Sequence, residues 1–289
     1  MRSNTNLLLM IATAAGCIGA MGGVLIDRPA EAAASVEPAR VAAMPAAAAA
    51  PPVPSMQPVL TAARAVLGTA GIESAAENTQ VGKALAALSG SVRKQSDPGA
   101  LKMAFKAYFN YKAANPEKVR KPYLYFVDYG LDSRTPRGYV FDMEALKVVD
   151  GPFTVAHGRG SDTRSVGKPT RFSNREGSNA TSLGLYLTQE TYAFSGKSGG
   201  KAYRSVGLRM TGLSGRFNSA ARERRVVVHG APYVTPQKAG RSEGCPAMET
   251  RRASSLLPRI GNGGLVFLFS PLEKTWMSED PWANRDSNG

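Results

Sequence analysis

The apolar positions of this chain change period after its first third. From Leu60 to about Asn115 they recur at helical spacing, as in Val81-Gly82-Lys83-Ala84-Leu85-Ala86-Ala87-Leu88. Asp97-Pro98 predicts a helix start, with Asp as N-cap and Pro at the first helical position. Leu101, Phe105, Tyr108, Phe109 and Tyr111 continue that helix, and Asn115-Pro116 stops it. Its aromatics are expected to pack against the segment that follows. After Lys121-Pro122 the texture becomes β. Segments 123–129, 138–143, 146–149, 154–156, 183–188, 206–210, 225–229 and 264–269 are rich in β-formers, and Gly-, Ser- and Asn-rich loops separate them. One short helix is expected between Glu249 and Leu257, ended by Pro258 and Gly261. Many short strands with one inserted helix predict a mostly-β domain, a sandwich or barrel, preceded by a small helical segment. Polar loops at 158–182 and 195–204 are long enough to shape a cleft.

The N-terminal pattern is different. Met1-Arg2 is short and basic, Leu7 to Ile26 carries no charge, and Ala30-Glu31-Ala32 and Ala32-Ala33-Ala34 are small-x-small sites. This predicts a secretory signal peptide cleaved near Ala32 or Ala34. The apolar run is also long enough, at about 20 residues, to serve as an uncleaved anchor. Ala14-Ala15-Gly16-Cys17 offers a lipoprotein site as a third reading, without the usual branched residue three before the cysteine. All three place the remainder outside the cytoplasm, in the periplasm or cell envelope, and two of them tie it to a membrane. No later segment is apolar enough to span a bilayer. The expected organisation is a signal or anchor at 1–34, an Ala/Pro-rich linker at 35–58, helices at 59–116, the main domain at 117–274 and a polar tail at 275–289.

Length and charge narrow the picture. A chain of 289 residues holds one large domain, or one plus a small helical unit. Its 36 Lys and Arg against 22 Asp and Glu give a formal net charge of +14. Removing the N-terminal segment leaves that charge unchanged, because Arg2 and Arg28 cancel Asp27 and Glu31. Such a surface favours anionic partners. For an exported protein those are carboxylate-rich cell wall and anionic headgroups, and not nucleic acid. A solvated basic surface accounts for the charge equally well.

The chemistry centres on Cys245. The chain has two cysteines, and Cys17 lies in the N-terminal apolar run, so the processed protein would carry one thiol and no internal disulfide. An unpaired thiol outside the cytoplasm is a liability that chemistry explains better than packing. It follows His229, one of two histidines, by sixteen residues. A lone cysteine with a histidine elsewhere is a candidate nucleophile and base. Gly244 permits a sharp turn before the nucleophile, and the Gly244 and Cys245 amides are candidate oxyanion donors. A thiol beside His229 is expected to form a thiolate–imidazolium pair. No Asp or Asn in this loop is placed to orient the imidazole, which leaves a main-chain carbonyl for that role. Against this stands the plain reading of Cys245 as a small buried hydrophobe and His229 as a strand-end histidine. Cys245 and His229 alone are too few for zinc, and His157, in Val155-Ala156-His157-Gly158, is a distant third ligand. His157 is read as structural or cleft-lining.

These residues carry a resemblance. Val228-His229-Gly230-Ala231-Pro232-Tyr233-Val234 and Gly240-Arg241-Ser242-Glu243-Gly244-Cys245-Pro246-Ala247 resemble the L,D-transpeptidase catalytic (YkuD-like) superfamily, in the murein branch whose motif reads G-R-S-x-G-C-P-A. Val155-Ala156-His157-Gly158, Arg171-Phe172-Ser173-Asn174, Gly177-Ser178, Ser182-Leu183-Gly184-Leu185-Tyr186, Gly212-Leu213 and Phe217-Asn218-Ser219-Ala220 extend it across Pro122 to Pro271. The resemblance implies a mostly-β fold and a cofactor-free cysteine acyl-transferase, open to carbapenems, that acts on peptidoglycan stem peptides. Cys245 takes the place of the nucleophile, His229 of the base and Ser242 of a loop brace. The wider superfamily has S-H-G-C followed by an arginine two residues on; here Glu243 replaces that histidine and Ala247 that arginine. Arg241, Arg209 and Arg204 are the candidates for the missing carboxylate-binding cation. Tyr233, Asn174 and Ser178 complete the expected substrate-binding set. Three outcomes stay open: transfer to an amine on a second stem peptide or a protein, transfer to water, or wall binding without catalysis. A papain-like peptidase fits less well, because in those enzymes the cysteine precedes the histidine.

Overall fold

The computed structural model describes residues 79–162 and 167–285. The expected signal segment, the linker and residues 59–78 of the helical segment lie outside them. Two helices open the described chain: α1 (Gln80–Leu88) and α2 (Ala100–Ala114). The Thr79 hydroxyl accepts the Gly82 N–H at 3.0 Å, which caps α1. Asp97 accepts the Gly99 N–H at 2.8 Å in the turn before α2, but the N-cap is Gly99 and the first helical residue Ala100, two residues later than Asp97-Pro98 predicted. α1 and α2 share one apolar core with the strands: Phe105 meets Phe141 edge-on at 5.5 Å.

Twelve strands follow: β1 (Tyr123–Asp128), β2 (Gly138–Asp142), β3 (Lys147–Phe153), β4 (His157–Gly158), β5 (Gly184–Ser198), β6 (Lys201–Gly212), β7 (Val227–Ala231), β8 (Val234–Thr235), β9 (Lys238–Ala239), β10 (Arg241–Ser242), β11 (Ala247–Glu249) and β12 (Leu265–Phe269). Helix α3 (Thr250–Ile260) precedes β12, and α4 (Lys274–Glu279) follows it. The mostly-β expectation holds. Its main body is one eight-stranded mixed sheet in the order β11-β7-β6-β5-β12-β1-β2-β3, parallel at β1–β12 and at β11–β7. Two small sheets, β10-β4 and β8-β9, accompany it. β12 is fully buried along its length, as its unbroken Leu-Val-Phe-Leu-Phe run requires for a strand covered on both faces. Among the described residues no helix is long and apolar enough to cross a membrane.

Two sequence expectations are corrected. The segment 195–204 is not a loop. It is the outer part of a long β5–β6 hairpin that turns at Gly199-Gly200, both with positive φ as a two-residue hairpin turn demands. Its Lys, Ser and Gly content hid the strands, because one face of this hairpin is exposed. Residues 275–285 are likewise no polar tail. Trp276 is buried against Phe267 and Phe269, at 5.8 and 5.7 Å between ring centroids. Trp282 donates its indole N–H to the Leu213 carbonyl at 2.8 Å. Two tryptophans anchor the segment although most of its other residues are polar.

Candidate active site

Strand pairing brings the two sequence candidates together. β11 runs parallel to β7 with Ala247 opposite His229, and the His229 N–H donates to the Pro246 carbonyl at 3.3 Å. Cys245, two residues before Ala247, therefore lies beside the start of β7. Its sulfur accepts the Val227 N–H at 3.5 Å and donates to the Arg225 carbonyl at 3.8 Å. Val227 and His229 point to the same face of β7, since side chains alternate along a strand. No hydrogen bond among the described residues joins the sulfur to the His229 ring.

The loop 243–246 is held at both ends. β10 pairs with β4, setting Arg241 opposite His157 and Ser242 opposite Gly158, and Ala247 bridges Ala156. The Ser242 hydroxyl donates to the Cys245 carbonyl at 2.6 Å and accepts the Gly244 N–H at 3.2 Å. Gly244 has φ +119, a conformation that side chains exclude, and a Cβ there would sit 3.0 Å from the Ala180 carbonyl oxygen. The expectation of paired oxyanion amides is therefore corrected in half. The Gly244 amide is committed to Ser242, whereas the Cys245 amide makes no hydrogen bond among the described residues. Arg225, whose carbonyl faces the thiol, adopts φ +54, a strained choice for a side-chain-bearing residue.

His229 is 3% exposed and stacks on Phe194 at 4.2 Å and 14°. Its Nδ1 lies 3.0 Å from the Gly230 carbonyl. A carbonyl only accepts, so Nδ1 carries the proton and Nε2 keeps the lone pair. The orienting group is thus a main-chain carbonyl. Burial pulls the ring down to about 4, against a smaller opposing effect of the Gly230 bond. Burial pushes the thiol up to about 11; the Val227 N–H and the Arg224 charge act against it, and Glu243 with it. Both shifts disfavour the thiolate–imidazolium pair expected from the sequence. Desolvation outweighs the local donors and charges at both groups.

An aromatic wall covers this site. The inward face of the β5–β6 hairpin presents Tyr192, Phe194 and Tyr203, and Tyr203 meets Tyr233 edge-on at 6.4 Å. Gly207 opposes Tyr192, and Gly196 opposes Tyr203, so each ring lies flat across a glycine. Sequence reasoning missed Phe194; the signal was the alternation Tyr192, Phe194 inside an otherwise polar stretch. It also missed Arg224, which stands in the charged run Arg222-Glu223-Arg224-Arg225 just before β7.

The remaining candidates are placed as follows. Ser178 lies on the segment that abuts Gly244, and its hydroxyl accepts from Arg224 at 3.2 Å. Tyr233 borders the aromatic wall. Arg241 donates to the Asp162 carbonyl at 3.2 Å. Arg209 pairs with Glu190 at 2.8 Å and lies over Tyr192, and Arg204 is exposed on the hairpin opposite Ser195. Asn174 is tied to the Arg216 carbonyl and to Ser219, at 3.0 and 3.1 Å. Glu243 pairs with Arg159 at 2.6 Å. His157 is fully buried, with Nδ1 3.0 Å from Arg137 Nη2; arginine only donates, so its proton sits on Nε2, which has no hydrogen-bond partner.

A cysteine on a glycine turn, registered against a carbonyl-oriented histidine on a mostly-β sheet, defines the class as a cysteine–histidine site. The chain belongs to the L,D-transpeptidase catalytic domain family, which matches residues 92–269, more than half of its length. That family acts on peptidoglycan stem peptides in the cell envelope. No curated protein matches the chain in sequence. Similar solved structures include an L,D-transpeptidase from Mycobacterium smegmatis, 14% identical over 52% of this chain and 59% of that one, with TM-score 0.31. L,D-transpeptidase 3 from Mycobacterium tuberculosis, in complex with a faropenem-derived adduct, is 14% identical over 51% and 60%, with TM-score 0.27. An L,D-transpeptidase from Xylanimonas cellulosilytica is 15% identical over 58% and 77%, with TM-score 0.30. The chain spans under two thirds of the first two.

Proposed function

We propose that this protein is an exported cysteine acyl-transferase of peptidoglycan, an L,D-transpeptidase. The Cys245 sulfur attacks the carbonyl at the L-centre of diaminopimelate in a donor tetrapeptide, and its proton passes to His229 Nε2. The carbon–nitrogen bond breaks, the protonated imidazole returns that proton to the leaving amine, and the acyl group stays on sulfur as a thioester. An amine from a second stem peptide or an envelope protein then attacks. His229 takes its proton, the carbon–sulfur bond breaks, and the imidazolium returns that proton to the departing sulfur, which restores the thiol. With water as acceptor the same cycle is an L,D-carboxypeptidase reaction. The downward shift of His229 and the upward shift of Cys245 suit this order, in which His229 accepts a proton as attack begins. The Cys245 amide is the loop donor for the oxyanion.

The observation that supports this reading is the seating of a partly exposed Cys245 on the Gly244 turn, held in register with His229 through Ala247. Incubation with a purified disaccharide-tetrapeptide, followed by mass spectrometry, tests it. The wild type is expected to release the terminal residue and form a cross-linked dimer, and Cys245→Ala to do neither. Release without dimer assigns the carboxypeptidase reaction. Neither product, with both proteins pelleting on sacculi, leaves a wall-binding module and ends the enzymatic reading.

A further inference from the structure

Arg224 lies three residues before β7, and no step above uses it. Its guanidinium donates to four oxygens: the Ser173 and Ala180 carbonyls at 2.8 and 2.6 Å, and the Ser182 and Ser178 hydroxyls, each at 3.2 Å. All four belong to segment 173–182. None of the ion pairs among the described residues includes it. A half-buried guanidinium without an anionic partner is costly, and neutral donors would hold the same carbonyls. Two further contacts show where it points. A Cβ on Gly244 would meet Arg224 Nη2 at 3.5 Å and the Ala180 carbonyl at 3.0 Å. Gly158, paired with Ser242, approaches the Asn179 carbonyl so closely that a Cβ would collide with it. Segment 178–182 is therefore wedged between the Arg224 fork and the backbones of Gly158 and Gly244.

We infer that Arg224 is a positioning residue for the nucleophile: its fork fixes segment 178–182 against the Gly244 turn, and its charge stands beside the Gly244-Cys245 peptide, where a thiolate would form. Only arginine offers a planar set of donors that bonds two carbonyls and two hydroxyls while keeping a permanent charge. The other titratable groups that interact electrostatically with Cys245 are Tyr129 after β1, Tyr186 and Tyr192 on β5, Tyr203 on β6, Tyr233 and Glu243, and His229 lies on the neighbouring β7. Apart from His229 these are acids, so Arg224 is the fixed positive charge of this set. The inference rests on Cys245 being the nucleophile.

The test separates charge from position, using the full chain and two variants. The rate of Cys245 alkylation by iodoacetamide against pH, read on the peptide that holds Cys245 so that Cys17 does not contribute, reads the thiol, and the rate of acylation by a carbapenem reads its placement. Arg224→Gln is expected to raise the alkylation midpoint by about one pH unit, the low end for loss of a nearby opposite charge. Arg224→Lys is expected to keep the wild-type midpoint but to acylate at least about tenfold more slowly, a loss of the size that small displacements cause. An unmoved midpoint in Arg224→Gln, or a midpoint in Arg224→Lys shifted as far as in Gln, overturns the electrostatic half. Wild-type acylation in Arg224→Lys overturns the positioning half, and does so even if Arg224→Gln fails to fold. Alkylation needs no peptidoglycan chemistry, so a wild type that alkylates but never acylates refutes the transpeptidase reading and leaves the charge test standing.

Discussion

Phe194→Ala tests how the fold sets the titration of His229, the proposed base. The Phe194 ring covers the imidazole at 4.2 Å in a near-parallel stack, and His229 is buried. Two effects of that ring oppose each other. Attraction between a charged imidazole and the aromatic face is worth about 0.5–1 kcal/mol and favours protonation. Burial lowers the ring from 6.5 to about 4. At about 1.36 kcal/mol per pH unit, that costs the charged form about 3 kcal/mol, so desolvation wins. Removing the stacked ring admits water to one face and is expected to raise the His229 pKa by about one unit. The acid midpoint of carbapenem acylation against pH should rise with it. Phe194 is only partly buried, so the stability loss is about half the 3–5 kcal/mol of a fully buried Phe→Ala change, or ~2 kcal/mol. Intact-mass kinetics between pH 4 and 8, alongside thermal melting, give both numbers. A destabilised variant whose acid midpoint stays at the wild-type value would refute the reasoning and reduce Phe194 to packing.

Two further outcomes follow from the buried groups. Trp276→Ala should cost about 4 kcal/mol, as for a fully buried aromatic, and lower the melting temperature by ~10 °C; a change within about 2 °C would show that the C-terminal segment is dispensable. His157 is lowered from 6.5 to about 3 by burial and the nearby Arg137 and Arg241 charges, and His229 from 6.5 to about 4. Both rings bind fewer protons folded than unfolded below pH 6.5, so stability is full above that pH and falls as the pH drops toward 4 and 3. Denaturant titrations should give about 4 kcal/mol less stability at pH 5 than at pH 7.5 from the two rings together, with His157→Gln removing about half of that slope. A flat profile would contradict it.

The parts of this molecule legible in its sequence are those set by local pattern. Asp97-Pro98 marked the start of α2 to within two residues, Val226-Val227-Val228 marked β7, and the glycine before Cys245 marked a turn that its φ of +119 requires. Cys245 and His229 could be named as candidates for nucleophile and base because residue type and spacing suggest that chemistry. What stayed hidden depends on contacts distant in sequence. The outer β5–β6 hairpin is Ser-, Lys- and Gly-rich, and its inward aromatics make sense only once Phe194 lies on His229. Arg224 looked like one charge in a surface run until segment 173–182 wrapped around its guanidinium. A glycine turn before a cysteine suggests a free Gly244 amide, yet the Ser242 hydroxyl accepts it. The burial that disfavours a Cys245–His229 ion pair is likewise a property of the folded sheet, with no counterpart in residue type or spacing.

The account stands on Cys245 being a nucleophile that forms a thioester. Incubating the purified protein with a carbapenem and recording its intact mass addresses that claim most directly. The strained lactam carbonyl presents the sulfur with an acyl donor that leaves its whole mass on the protein. The wild type should gain one adduct, and Cys245→Ala none. A wild type that stays at its unmodified mass, or a variant that gains the same adduct, would contradict the account.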